Sequence, residues 1–403
     1  MKKHFLILVT FLTILSCKNE NPKTLELASY RAELQVSETE TLPFLFKVIS
    51  KSALEIYNAK EVITVNEIKY ENDSVYINMP VFEGYLVAKI ENNTLNGSFV
   101  KPNLNRVVPL KAFKSDTRFE SNTKPLVNIT GNWETVFSPN TEADKYLAKG
   151  IFTQEGNKVT GTFRTTTGDY RYLEGVINGN QLELSTFDGA HAFLFKAKVT
   201  DSTMQGKFYS GNHWEEPFVA KRNESFTLPD ANNLTFLNEG YNKLAFSFPD
   251  ATGKMVSLTD KRFQNKVVLV QIMGTWCPNC LDESIYYSEF YNENNKKDFE
   301  IVALAFEYVK TEKKAFNNIK RLQDRVGIKY PILLAQTGTS SKSAAQEKLP
   351  MLNHVLSYPT TIFIDKEGKV RKIHTGFNGP ATGEKFTDFK LEFTGFIEAL
   401  LKE

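Results

Sequence analysis

The 403 residues contain three cysteines, and two of them, Cys277 and Cys280, are separated only by Pro278 and Asn279. Thiols three residues apart at the start of a helix lie on one side and can form a disulfide without large strain. The elements around the pair predict that placement. Lys266–Met273 is a continuous apolar run, as expected of a buried central strand, and the residues from Pro278 to about Glu293 read as a helix. A cysteine where strand gives way to helix faces unsatisfied backbone N–H groups and the positive end of the helix dipole, which favour a thiolate. Cys277 is therefore the expected nucleophile. Cys280, one turn further in and more shielded, is expected to resolve the mixed disulfide by attacking Cys277. Pro278 suits a first helical turn, where its missing N–H costs little.

A second signal follows about eighty residues later, where Tyr358-Pro359-Thr360 precedes the extended run Thr361-Ile362-Phe363-Ile364-Asp365. With Lys266–Val270, Trp276-Cys277-Pro278-Asn279-Cys280 and Glu283, it makes residues 244–403, some 40% of the chain, resemble the TlpA/ResA branch of thioredoxin-like thiol–disulfide oxidoreductases. The resemblance implies an α/β thioredoxin-like domain in which Pro359 is cis and lies beside the cysteine pair, with the backbone before it free to pair with a substrate strand. Trp276, Pro278, Tyr358 and Thr360 would line the substrate groove. Glu283 matches an acidic position of the family. It is expected either to influence proton removal from Cys280 or simply to favour the helix dipole. Asp282 beside it is expected to be solvated. Gln271 stands where thioredoxin carries a buried acid and cannot accept a proton, so that part of thioredoxin's mechanism does not carry over.

The remaining chain reads differently. From residue 30 to 222 short alternating or β-branched runs recur between turn residues, and no long amphipathic helix interrupts them. Two stretches, about 30–115 and 127–222, share an order of strand, turn, strand, turn, a strand with an early glycine, and a closing strand at a proline. A duplicated antiparallel all-β meander, barrel- or sandwich-like, is the expected architecture. Gly131-Asn132-Trp133 opens the second stretch in the manner of lipocalin-like barrels, with core packing as the plainer role of Trp133. Residues 223–243 are polar and read as a linker.

The first segment reads as an address. Met1-Lys2-Lys3, the apolar run Phe5–Ile14 and then Leu15-Ser16-Cys17 form a signal peptide (1–16) ending at a lipobox-like cysteine. Cys17 is the expected lipidation site, followed by a tether (17–29). Acyl chains there would anchor the protein to a membrane, facing the periplasm. That leaves the mature chain with one close thiol pair in an oxidising compartment.

Composition narrows the remaining functions. Net charge is +2 from 49 basic and 47 acidic residues, so no global field draws the chain to nucleic acid. Apolar residues at 41% and charged ones at 24% fit a folded soluble protein of two or three domains. Zinc would need about four ligands where two thiols remain, so no metal is expected. No phosphate-loop or dinucleotide pattern appears, so no cofactor is expected, and electrons would come from an upstream thiol donor. The expected partners are exported proteins bearing disulfides. Two other functions compete. One is a tethered binding module in which the β-rich half holds a ligand or partner. The other is a peroxiredoxin-like peroxidase, disfavoured because Thr275 precedes Cys277 by two residues where that chemistry needs three.

Overall fold

The computed structural model describes residues 23–92, 94–294 and 298–403; the signal segment and Cys17 lie outside them. Three units follow one another. The first is a nine-stranded antiparallel sheet: β1 (Ser29–Gln35), β2 (Thr41–Ser50), β3 (Ala53–Asn58), β4 (Glu61–Val65), β5 (Glu67–Glu71), β6 (Ser74–Asn78), β7 (Tyr85–Glu91), β8 (Thr94–Lys101) and β9 (Arg106–Lys114). Its order is β4-β3-β2-β1-β9-β8-β7-β6-β5. Only Asn66 separates β4 from β5, so the two edge strands meet at that corner and the sheet curls into an incompletely closed barrel.

The second unit is a closed eight-stranded barrel: β10 (Gly131–Phe137), β11 (Tyr146–Glu155), β12 (Lys158–Thr165), β13 (Leu173–Asn178), β14 (Gln181–Phe187), β15 (Ala192–Val199), β16 (Thr203–Ser210) and β17 (Trp214–Arg222). Closure follows from β10 pairing with β17, Trp133 opposite Arg222, and removes every free edge. Inward positions alternate along the strands, and Trp133, Phe137, Phe163, Phe195 and Phe218 fill the interior. The Trp133 ring is fully buried, its Nε1–H donates to the Ile129 carbonyl at 2.9 Å, and Arg222 covers one face at 4.5 Å. Strands β6 to β9 and β14 to β17 are the last four of their respective sheets and close the two stretches 30–115 and 127–222.

β1, β2 and β5 of the first sheet are the strands marked least clearly in the sequence. β1 (SYRAELQ) is rich in good helix formers, and β2 carries Pro43 mid-strand, which reads as a breaker. Here Pro43 sits opposite Glu33, and its carbonyl accepts a 2.5 Å bond from Ser185 Oγ of the barrel. β5 alternates charged residues along an exposed edge.

The third unit begins with the short hairpin β18 (Ser247–Pro249) and β19 (Met255–Ser257). A five-stranded sheet follows, β20 (Val267–Met273), β21 (Phe299–Phe306), β22 (Ile332–Gln336), β23 (Thr360–Ile364) and β24 (Val370–Thr375), in the order β22-β21-β20-β23-β24. β20 and β21 are parallel and buried along their whole length; β23 and β24 run antiparallel. Helices α1 (Pro278–Asn294), α2 (Glu312–Val326), α3 (Lys342–Lys348) and α4 (Glu384–Lys402) cover the faces. α4 lays Phe389, Phe393, Ile397 and Leu400 on the core. α3 is a single short piece; the chain from Leu349 to Pro359 is irregular. Residues 230–243 pack along this unit: Phe236 and Asn353 exchange hydrogen bonds of 2.9 Å, and Asn238 N–H donates to Met351 O at 2.8 Å. Among the described residues no helix is long and apolar enough to cross a membrane.

The three units share side chains. Phe187 of the barrel stacks on Phe44 of the first sheet at 4.2 Å, and Val81 and Phe82 from the connection between β6 and β7 belong to the core of the third unit. Arg321 of α2 donates to Pro80 O at 2.9 Å and pairs with Glu67 at 3.0 Å.

Candidate active site

β20 delivers the chain to Gly274, and α1 begins at Pro278. A methyl group on Gly274 would stand 2.4 Å from the Trp276 indole nitrogen, so only glycine lets the indole fold back over the strand end. Trp276 Nε1–H donates to Phe306 O at 2.9 Å, and its ring meets Tyr358 edge-on at 5.5 Å. The Cys277 N–H donates to Gly274 O at 3.1 Å and the Cys277 carbonyl accepts from Leu281 N at 3.0 Å. The sulfur of Cys277 therefore sits in the first turn of α1. It accepts the N–H of Cys280 at 3.2 Å and its thiol hydrogen reaches Tyr358 O at 3.4 Å. The Tyr358–Pro359 peptide is cis.

Exposure separates the two thiols. Cys277 is 7% exposed at the floor of a cavity of about 460 Å³, while Cys280 is fully buried. Burial, the Cys277 sulfur next to it and the charge of Glu283 hold the Cys280 thiol well above its ordinary value. Glu283 is completely buried. Its carboxyl accepts Gln271 Nε2–H at 2.8 Å, Thr361 Oγ1–H at 2.9 Å and Tyr287 O–H at 3.2 Å. Burial pushes it up to about 7, against the pull of those three donors. Gln271 thus supports the acid on the facing helix rather than replacing it.

Of the other expected groove residues, Trp276, Pro278 and Tyr358 line the cavity. Thr360 lies beneath it, fully buried, with its hydroxyl bonded to Ser357 O at 2.9 Å. Asp282 corrects the sequence reading: it is not solvated but 2.7 Å from Arg171 of the barrel, in a seam where Arg171 also meets Glu61 and, at 3.3 Å, Asp188. No local signal marks the pair, because the partner lies 111 residues upstream, in another unit. Glu307 is a further site residue that no motif announces. This buried carboxylate accepts both the N–H and the hydroxyl of Thr275 at 2.8 Å, fixing the approach to Cys277, and burial raises it to about 7. A charged residue ending the apolar run Phe299–Phe306 was the available signal.

The barrel reaches the cysteine loop directly. Arg171 Nη1 donates to Pro278 O at 3.2 Å, Asn279 Nδ2 donates to Asp169 O at 3.3 Å, and Ser357 Oγ donates to Thr167 O at 2.9 Å. Gly168 lies against the Asn279 amide; a Cβ there would come within 1.9 Å of its nitrogen. The cavity over Cys277 is correspondingly composite, with walls from β8 and β9, from the barrel loops at Thr167, Ala190–Ala192 and Ser210–His213, and from the third unit.

A central sheet whose strand runs into a Trp-Cys-Pro-Asn-Cys turn and a helix, with the Tyr358 carbonyl that precedes a cis proline over the first sulfur, defines a thioredoxin-like domain of the thiol–disulfide oxidoreductase class, here carried behind two β units. The comparisons agree. The Redoxin family model matches residues 230–389. The thiol–disulfide oxidoreductase ResA of Bacillus subtilis (strain 168) is 30% identical over 140 residues, 35% of this chain and 69% of that protein. ResA of Geobacillus thermodenitrificans (strain NG80-2) is 32% identical over 131 residues, 32% of this chain and 66% of the relative. The chain therefore belongs to the ResA-like thiol–disulfide oxidoreductases, and spans about two thirds of the length of these relatives. Among solved structures, a thiol–disulfide oxidoreductase from Bacteroides fragilis NCTC 9343 is 20% identical, covering 37% of this chain and 99% of that one with a TM-score of 0.28.

Proposed function

We propose that the protein is an envelope-tethered reductase that exchanges disulfides with exported proteins through Cys277 and Cys280. The observation that carries the reading is the asymmetry of the two sulfurs. Cys277 lies at the cavity floor and receives a helix-start N–H at 3.2 Å, whereas Cys280 is fully enclosed. Cys277 is the attacking thiolate and Cys280 the resolving thiol, with Glu283 accepting the Cys280 proton. Trp276, Pro278 and Tyr358 bound the substrate groove, and the Tyr358–Pro359 backbone borders the reacting sulfur. An upstream dithiol protein returns the electrons, and lipidated Cys17 holds the chain on the membrane facing the periplasm.

Insulin-type disulfide reduction by the parent and by Cys277→Ser tests the chemistry; equal rates would overturn it. The midpoint potential of the pair tests the direction. Related folds run from about −270 mV for reductants to about −120 mV for oxidants, and a value near the oxidising end would reverse the assignment. Metabolic labelling with radioactive palmitate, lost in Cys17→Ser, tests the anchor.

A further inference from the structure

The cavity above Cys277 is lined by basic side chains and lacks carboxylates. Lys101 and Arg106 enter from β8 and β9, Lys342 stands at the start of α3, and His213 comes from the barrel; no Asp or Glu is among the lining residues. Lys101 donates to Ala190 O at 2.8 Å. The nearest acid to influence it, Asp188, is engaged elsewhere, with Arg171 at 3.3 Å and His191 at 3.1 Å. Partial loss of water lowers Lys101 to about 8. His213 is pushed down to about 4 by loss of water and by Arg106 and Lys101. Lys101 thus feels the Arg106 charge with no anion in the lining to relieve it, while His213 is neutral at neutral pH.

We propose that the cavity selects disulfides flanked by acidic residues, a short Asp- or Glu-bearing peptide segment seated with its carboxylates on Lys101 and Arg106 and its disulfide over Cys277. This inference rests on the redox reading of the cysteine pair and specifies its substrate. A cavity of about 460 Å³ encloses a few residues rather than a folded surface. Charge-assisted contacts there, partly shielded from water, are stronger than on an open surface. The exchange balances without a further reagent. The Cys277 thiolate attacks one substrate sulfur, the substrate S–S bond breaks, and the departing thiolate takes a proton. Cys280, its proton passed on, then attacks Cys277. The ring disulfide forms, the mixed disulfide breaks, and the second substrate thiolate leaves and is protonated. Two electrons pass from the enzyme dithiol to the substrate.

The test uses the full chain in its reduced form with three synthetic peptide disulfides identical except for Glu, Ser or Lys beside the cysteines. The expected result is a kcat/KM for the Glu peptide about tenfold above the Ser peptide, with the Lys peptide slower still. That advantage, read as the ratio of the Glu-peptide to the Ser-peptide kcat/KM, should shrink as salt is raised and fall to about one in Lys101→Gln/Arg106→Gln. Arg106→Gln alone, which disturbs no hydrogen bond described above, should remove part of the preference if the double variant folds poorly. Equal rates for the three peptides, or a preference that survives the substitutions, would overturn the inference while leaving the oxidoreductase reading intact. Failure to reduce any of the three would instead overturn that reading.

Discussion

Arg171 of the barrel and Asp282 of α1 lie 2.7 Å apart in a buried seam, two residues beyond the second active-site cysteine. The same guanidinium meets Glu61 of the first sheet and Asp188 of the barrel, so one side chain ties all three units together. Burial raises Asp282 to about 7 in spite of Arg171. Removing the arginine leaves buried carboxylates without their counter-charge, which costs about 3–5 kcal/mol. Arg171→Ala is therefore expected to melt several degrees lower and to be cleaved between units by protease. The defect should shrink between pH 8 and pH 5, because orphaned carboxylates can take up protons as pH falls. A defect independent of pH would count against the seam as its cause.

Thiol chemistry supplies the most direct expectation. Cys277→Ser should abolish disulfide reduction. Cys280→Ser should retain attack but stall, accumulating a mixed disulfide with substrate that non-reducing electrophoresis displays. Accumulation in Cys277→Ser instead would reverse the two roles.

Glu283 makes the pH dependence calculable in sign. Its folded value of about 7 stands above the ordinary 4.5. Below about pH 4.5 both folded and unfolded chains hold the proton. Between about 4.5 and 7 only the folded chain does, so this group's contribution to stability is lost as pH rises through that window, by roughly 3 kcal/mol in all. Glu283→Gln, still able to pair with Gln271, Thr361 and Tyr287, should flatten that part of the stability curve. Resolution of the mixed disulfide, by contrast, needs the ionised carboxylate. In the parent it should quicken as pH rises through about 7, and the Gln variant should be slow and lack the inflection. Stopped-flow kinetics across pH 5.5–8.5 would show both.

Trp133 anchors the closed barrel. Trp133→Ala should cost about 3–5 kcal/mol, through the cavity it leaves and the Ile129 carbonyl it orphans. Urea titration followed by circular dichroism at the β minimum should show the barrel melting earlier. An unchanged midpoint would count against Trp133 as the anchor of the barrel.

The chemistry was legible in the sequence because it is local. Cys277, Pro278 and Cys280 are adjacent, and the continuous apolar character of Val267–Met273 announces a central strand. The barrel strands are marked in the sequence by β-branched and aromatic runs between turn residues. What escaped is what neighbouring units impose. Pro43 is tolerated mid-strand, where its carbonyl serves the barrel. Asp282 looks like an ordinary surface acid until Arg171 is brought beside it. Lys101, Arg106 and His213 are unremarkable in their own strands and turns; only the docking of β8, β9 and the barrel over α1 gathers them around a sulfur.

The two residues between the cysteines are hinge pins as well as chemical spacers. Pro278 lends its carbonyl to Arg171, and Asn279 its amide to the Asp169 backbone. In a lone thioredoxin-like domain that dipeptide would have no second unit to bond. Here each rewriting loosens a joint, so a shifted redox potential in a Pro278 or Asn279 variant is interpretable only beside its unfolding curve.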